Sequence, residues 1–223
     1  VTHVYPVATA AVRQATNAAD FLDVVQSRTG LAFDVISGEE EAHLDFLGVA
    51  NTISLRDYAM IDIGGASTEV AWVRDRTIVG KTSMPWGAVN LTERFDLKGK
   101  PSRKKIASAE TAVSELLEAC DWLPQDASFP IVGLGGTIRA LAKADRKQRE
   151  YPLEWLHQYE MSVRQLGEWL DEWDKMGVQA RKGMPGIGKE RADILAGAVI
   201  PLKGLLRHTG AQHILDSGNG IRD

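Results

Sequence analysis

The sequence contains a single cysteine, Cys120, in 223 residues. One cysteine excludes an intramolecular disulfide framework and a cysteine-based zinc site, and reads as a reduced, partly buried thiol in a helix. The five histidines, His3, His43, His157, His208 and His213, show no ligand spacing such as His-x-x-x-His, so a histidine metal cluster is not expected either. No apolar run approaches the ~18 residues of a membrane helix. The longest, residues 194–199, is interrupted by Gly197. Basic residues are in deficit, 26 Lys and Arg against 30 Asp and Glu, for a formal net charge of -4. That balance argues against a general nucleic-acid binder. Residues 1–7 carry neither a basic leader nor a cleavage site, so a cytoplasmic protein with no nucleic-acid and no membrane partner is expected. The chain starts at Val1 in a strand-like stretch, as expected of a piece of a longer protein.

What is present is an ordinary globular composition, 44% hydrophobic and 25% charged, with chain enough for one large domain or two small ones. Residues 1–36 read as strand, helix, strand. Asn17 is the expected N-cap, Phe21, Leu22, Val24 and Val25 the apolar face, Gly30 the stop, and residues 31–36 the second strand. Ser37 and Glu40 have the spacing of a capping box, with Leu44 and Leu47 following on one helix face. Residues 58–63, 69–73 and 77–83 are short apolar runs separated by tight turns, an antiparallel meander. Helical periodicity returns over residues 87–95 and 102–122. A strand is expected at 129–132 and a glycine-rich turn then opens a helix to about residue 147. A surface connection covers 146–158, helices cover 162–175 and 189–208, and a short strand closes at 214–215. From residue 58 the order is β-β-β-α-α-β-α…α-β, an α/β arrangement whose glycine-rich turns follow strand ends, where open sheets bind ligands.

The most informative segment is Met60-Ile61-Asp62-Ile63-Gly64-Gly65-Ala66-Ser67-Thr68-Glu69. Gly64, Gly65 and Ala66 let backbone amides approach an anion, and Ser67 and Thr68 add hydroxyl donors. Asp62 and Glu69 flank the turn as candidate ligands of Mg²⁺, which prefers carboxylates, waters and phosphate oxygens. A plain hairpin turn is the competing reading, and the acidic flanks and hydroxyls weigh against it. This segment closely resembles the second phosphate motif of the exopolyphosphatase / guanosine pentaphosphate phosphohydrolase (Ppx/GppA) family, a branch of the actin-like ATPase superfamily. Ala66 stands where that motif has a third glycine. Residues 8–17 resemble the family's Thr-x-x-x-Arg-x-Ala-x-Asn segment, residues 36–42 its Ile-Ser-Gly-x-Glu-Glu-Ala segment. Pro185-Gly186 with Glu190-Arg191-Ala192-Asp193, and Ser217-Gly218-Asn219-Gly220-Ile221-Arg222, also fit. The resemblance spans essentially the whole chain.

It implies an α/β fold of the actin-like ATPase (ribonuclease H-like) kind, a mixed sheet flanked by helices. Residues 1–43 would be the end of a first domain with the start of a connecting helix, and 44–223 the second domain. Of the three glutamates, Glu40 is the capping partner and Glu39 suits the helix dipole. Glu41 has no structural assignment, and the resemblance makes it the catalytic base that orients and deprotonates a water for attack on a terminal phosphoryl group. Arg13 would clamp a phosphate. Gly135, Gly136 and Thr137 resemble the superfamily's adenosine motif and offer an anion site at a helix N-terminus. Arg139 lies near where a dinucleotide fingerprint needs its third glycine. The implied substrate is inorganic polyphosphate or guanosine pentaphosphate, with Mg²⁺ as cofactor and a homodimer left open. Cationic contacts are sought at Lys81, Arg94 and the cluster Lys98, Lys100, Arg103, Lys104 and Lys105, which also reads as a solvated face.

The family's first phosphate segment, Asp-x-Gly-Ser-x-Ser, does not occur in this sequence, so a fragment of weak or no activity is expected. A non-catalytic phosphate or nucleotide sensor is the alternative. A further one, a helix-hairpin-helix DNA element at residues 184–192, is discounted by its single copy and by Glu190 and Asp193. Trp155, Trp169 and Trp173 read as packing residues, and Trp86 as a candidate wall of the cleft.

Overall fold

Strand alternation around residue 60 sets the architecture. A computed structural model describes residues 4–125, 128–184 and 186–222. Strands β3 (Tyr58–Ile63), β4 (Thr68–Arg74) and β5 (Thr77–Met84) form the expected antiparallel meander. Strand β6 (Ile131–Leu134) adds in parallel to β3, β8 (His213–Asp216) in parallel to β6, and β7 (Glu160–Ser162) in antiparallel fashion to β8. The mixed sheet therefore runs β5-β4-β3-β6-β8-β7. Before it, β1 (Val7–Ala8) and β2 (Asp34–Val35) make a separate two-stranded parallel sheet around α1 (Ala10–Arg13) and α2 (Ala18–Thr29).

The period of two gives each strand two faces. Ala59, Ile61 and Ile63 of β3, with Val70 and Trp72 of β4, face α4 (Ala88–Arg94), α5 (Arg103–Glu118), α6 (Gly135–Gln148), α7 (Val163–Lys175) and α9 (Leu195–Thr209) in the larger core. Tyr58 and Met60, with Ala71, Val73, Val132 and Leu134, pack on Phe46 and Val49 of α3 (Gly38–Thr52) in the smaller one. The capping box of α3 forms in full, Ser37 Oγ accepting from Glu40 N and Glu40 Oε2 from Ser37 N at 2.7 Å. Such a cap contributes about 1 kcal/mol. Gly30 ends α2 in the left-handed conformation.

Several expectations are corrected. The face that α3 buries is Ala42, Phe46 and Val49 together with Glu41 and Asp45, while Leu47 is exposed. The strand expected over 31–36 pairs only at Asp34–Val35, and residues 4–6 lie outside any strand; residues 1–3 are outside the described part. Helix α2 follows Asn17 as expected, but its N-cap side chain makes no capping bond. The final helix starts at Leu195, after a 3₁₀ turn at Lys189–Arg191. The short β7 and α8 (Val178–Lys182) were not foreseen. Cys120 is buried but lies beyond the end of α5. Trp169 and Trp173 are buried as expected, whereas Trp155 is exposed. No helix among the described residues is long and apolar enough to cross a membrane.

Candidate functional site

The side chains that β3 and β4 turn toward α3 change from apolar to acidic at one end. In β3 the row Tyr58, Met60 continues to Asp62, and in β4 the row Val73, Ala71 continues to Glu69, the register partner of Asp62. On α3, Val49 is followed one turn back by Asp45 and another turn back by Glu41. Helix and sheet periodicities therefore bring four carboxylates to one end of the interface. Asp45 and Glu69 are almost wholly buried. Burial raises the proton affinity of all four, most strongly for Asp45, Asp62 and Glu69. Mutual repulsion adds to it: Asp62 acts on Asp45, Glu69 on Asp62, and Glu41 on Glu69. Glu69 is pushed up to about 7. An acid raised in this way is better tolerated protonated or beside a cation.

These acids stand beside a cleft of about 510 Å³. One wall is Glu41, Asp45 and Asp62; another is Gly64 and Gly65; a third is the start of α6, Gly135, Gly136 and Thr137. The Gly64–Ser67 turn is closed by Gly64 N donating to Ser67 O at 3.1 Å. Its carbonyls accept from the first turn of α4, Ala88 N to Gly64 O at 2.9 Å and Val89 N to Gly65 O at 2.8 Å. The turn therefore carries α4 on its carbonyl side. Gly135 adopts φ +83, and a Cβ there would stand 2.3 Å from Asp62 Oδ1. Only glycine lets the open N-terminus of α6 reach the acid. The last wall is the loop after β8, Ser217 to Arg222. Asp45 Oδ1 accepts from Ile221 N at 2.9 Å, and a Cβ on Gly48 would meet the Gly220 backbone at 2.7 Å, so α3 and this loop are in close contact.

The expected site residues divide. Glu41, Asp62, Gly64, Gly65, Gly135, Gly136 and Thr137 all line the cleft. Ala66, Ser67, Thr68 and Glu69 do not. The Thr68 hydroxyl donates to Trp86 O at 2.8 Å, and Glu69 accepts from Ser83 Oγ at 2.7 Å and from the Ser67 hydroxyl. Ser67, the last residue of the turn, and Thr68, the first of β4, are both buried, and their hydroxyls are engaged within the fold. Arg13 sits behind the cleft. Its Nη1 donates to Ile36 O at 2.6 Å and lies 3.5 Å from Glu41 Oε2, so it holds the acid rather than facing the cavity. Trp86 packs edge-on against Phe95 and is not part of the cleft. Lys81 donates to Glu39 O at 2.8 Å, and neither it nor Arg94, Lys98, Lys100, Arg103, Lys104 or Lys105 reaches the cleft. The cations that do are Arg139, Arg191 and Arg222. Arg191 covers the start of α6, where a Cβ on Gly136 would meet its guanidinium. In the hairpin that suggested DNA binding, Pro185 is outside the described residues. Gly186 packs so closely on α6 that a Cβ would stand 2.5 Å from Ala144 N.

Asp45 was not foreseen as a site residue, although its position four residues after Glu41 is a legible signal. No group of three or more His, Cys, Asp or Glu side chains among the described residues is arranged to hold a metal by itself. Asp62 fits a divalent ion, because its buried Oδ1 has no hydrogen-bond partner; Glu69, bonded to two hydroxyls, fits less well.

Asp216, at the end of β8, is a second buried acid, with both carboxylate oxygens lacking a hydrogen-bond partner. Burial pushes it up to about 6, against the pull of Arg139 and Lys143. A carboxyl raised on folding stabilises fully below its unfolded value, near 4, and that contribution is lost as pH rises through about 6. Asp216→Asn is therefore expected to match the wild type in stability at pH 4. By pH 8 it should exceed it by on the order of 2–3 kcal/mol. Urea unfolding at both pH values checks this, and an equal difference at the two would refute it.

The family pattern of the Ppx/GppA phosphatases matches residues 1–223. The chain is 28% identical over 220 residues to the bifunctional 3-dehydroquinate synthase/phosphatase of Fusobacterium nucleatum, covering 95% of this chain and 32% of that protein. It thus spans about a third of the length of that curated relative. The structure of the PPX-GPPA enzyme of Aquifex aeolicus superposes with a TM-score of 0.83 at 28% identity, covering 100% of this chain and 74% of its own. An exopolyphosphatase from Cytophaga hutchinsonii has a TM-score of 0.89 at 23% identity, covering 99% and 72%, and shows the fold alone. The mixed sheet flanked by helices is the actin-like ATPase arrangement expected from the sequence. Fold, motif order and sequence agree over the whole length: the chain belongs to the Ppx/GppA phosphatase family.

Proposed function

We propose that the chain supplies the catalytic wall of a phosphoanhydride hydrolase that removes terminal phosphate from inorganic polyphosphate or guanosine pentaphosphate. One observation carries this reading: Glu41, a buried acid braced by Arg13, faces a cleft whose other walls are two glycine-rich segments and the loop after β8. The terminal phosphate sits against Gly64, Gly65 and the first-turn amides of α6, where the helix dipole favours an anion. Arg139, Arg191 and Arg222 offset the charge of the remaining chain. Glu41 accepts a proton from water as the water oxygen attacks the terminal phosphorus in line; the bridging P–O bond breaks, the shortened chain departs carrying the bridging oxygen, and the attacked phosphoryl group becomes orthophosphate. Burial raises the proton affinity of Glu41, which suits a general base acting near neutral pH. A Mg²⁺ held at Asp62 would supply charge neutralisation on the phosphate oxygens. Arg13 orients Glu41 and restrains its deprotonated form.

Because the Asp-x-Gly-Ser-x-Ser segment is absent from this sequence, turnover by the 223 residues alone is expected to be slow. The test is release of labelled terminal phosphate from the two substrates side by side, with protein in excess. Release from either one, dependent on Mg²⁺, is the expected outcome. Binding of polyphosphate with no release would instead mark a phosphate-sensing domain.

A further inference from the structure

The four acids around the cleft are not equivalent in their partners. Glu41 has Arg13 at 3.5 Å, and Glu69 accepts from two serine hydroxyls. Asp45 is 1% exposed. Its Oδ1 accepts from Ile221 N at 2.9 Å, while its Oδ2 is buried with no hydrogen-bond partner. Asp45 lines the cleft with Asp62, whose own Oδ1 is likewise buried without a hydrogen-bond partner. Two carboxylates facing one another can only accept, so neither satisfies the other while both are ionised. Protonated, Asp45 can donate to Asp62; with both ionised, the pair is offset only by a cation held between them.

We propose that Asp45 is the second protein carboxylate of a divalent-cation site shared with Asp62, and that Glu69 is not a ligand. The proposal rests on the hydrolase reading only for the role of the cation, not for its location. The chemistry suits Mg²⁺, which takes one or two carboxylates and completes its shell with waters and phosphate oxygens. The Ile221 amide fixes the rotation of the Asp45 carboxylate, as partners of ligating groups commonly do. Asp45 thereby connects the cation to the loop from Ser217 to Arg222, so that α3, β3 and this loop share one ion.

The test is direct binding of Mg²⁺, and of Mn²⁺ by electron paramagnetic resonance, to the full chain without any phosphate substrate. Asp45→Asn and Glu69→Gln are compared, since each removes one negative charge from the same cluster. Asn keeps an acceptor for Ile221 N and removes the ligand. One site is expected in the wild type, weakened at least about 10-fold by Asp45→Asn and little changed by Glu69→Gln. The rise in Tm on adding Mg²⁺ should vanish in Asp45→Asn, while its Tm in EDTA is unchanged or higher, as a merely structural role would not allow. Equal weakening by the two variants, a larger loss in Glu69→Gln, or no binding by the wild type overturns the proposal. Loss of phosphate release with cation binding intact would instead count against the hydrolase reading and leave this site standing.

Discussion

Glu41→Gln is expected to lower the single-turnover rate of phosphate release by about 10²–10⁴-fold, the usual worth of a positioned base. Gln keeps the shape and one oxygen acceptor but cannot take the proton from the attacking water. The substitution also removes a negative charge from a cleft that must receive a polyanion, so the affinity for polyphosphate should hold or improve. Its removal relieves Asp62 and Glu69 of one repulsive neighbour, and the fold should not be destabilised. The Arg13 guanidinium still has Ile36 O as an acceptor. Rapid-quench measurement of phosphate release, with equilibrium binding of polyphosphate alongside, separates the effects. A rate within a few-fold of the wild type would remove Glu41 from the mechanism. A parallel loss of rate and binding would make it a binding residue.

Gly135→Ala is expected to damage both fold and site. An L-residue at φ +83 is strained by roughly 1–2 kcal/mol, and the new Cβ would stand 2.3 Å from Asp62 Oδ1 and 3.1 Å from Ile63 O. Either Asp62 turns away or the first turn of α6 moves back. Together the strain and overlap should cost about 2–4 kcal/mol, lowering Tm by about 4–16 °C. Gly30→Ala is the control, because Gly30 has φ +73 with nothing within 4 Å of the added atom. It should lose only the conformational part and keep any phosphate release. If the two substitutions have equal effects, close packing of Gly135 on Asp62 contributes nothing.

The sequence made some parts of this molecule legible because local chemistry decides them. Ser37 with Glu40, Gly30 after α2, and the alternation through residues 58–73 each specify structure within a few residues, and each is found where expected. Glu41, Asp62 and Gly135 were identifiable through their motifs, and the fold brings them to one cleft. Asp45 is not legible from apolar periodicity, because the buried stripe of α3 ends in two acids. Leu47 attracted the pattern and is exposed. The motif marks Ser67 and Thr68 as donors, whereas the direction of their hydroxyls depends on where β4 begins, a matter of register with β3. Strand β7, with three residues, is too short to carry periodicity and exists because β8 offers it an edge. The motif marks Arg13 as a phosphate clamp, and its contact with Glu41 depends on the pairing of β1 with β2, which no local pattern shows.

The position of β6 has a kinetic consequence. It lies between β3 and β8, held on both sides by parallel pairings between segments some seventy or more residues apart in sequence. The meander β3–β5 closes through short turns and can form early, whereas the two parallel ladders must wait for large loops to close. The cleft depends on those ladders, since they bring the start of α6 and the loop after β8 to Asp62. A chain trapped with only its meander formed would have β3, β4 and β5 paired, yet would have no place for a phosphate. In such a chain the slowest step of folding is also the one that creates the site.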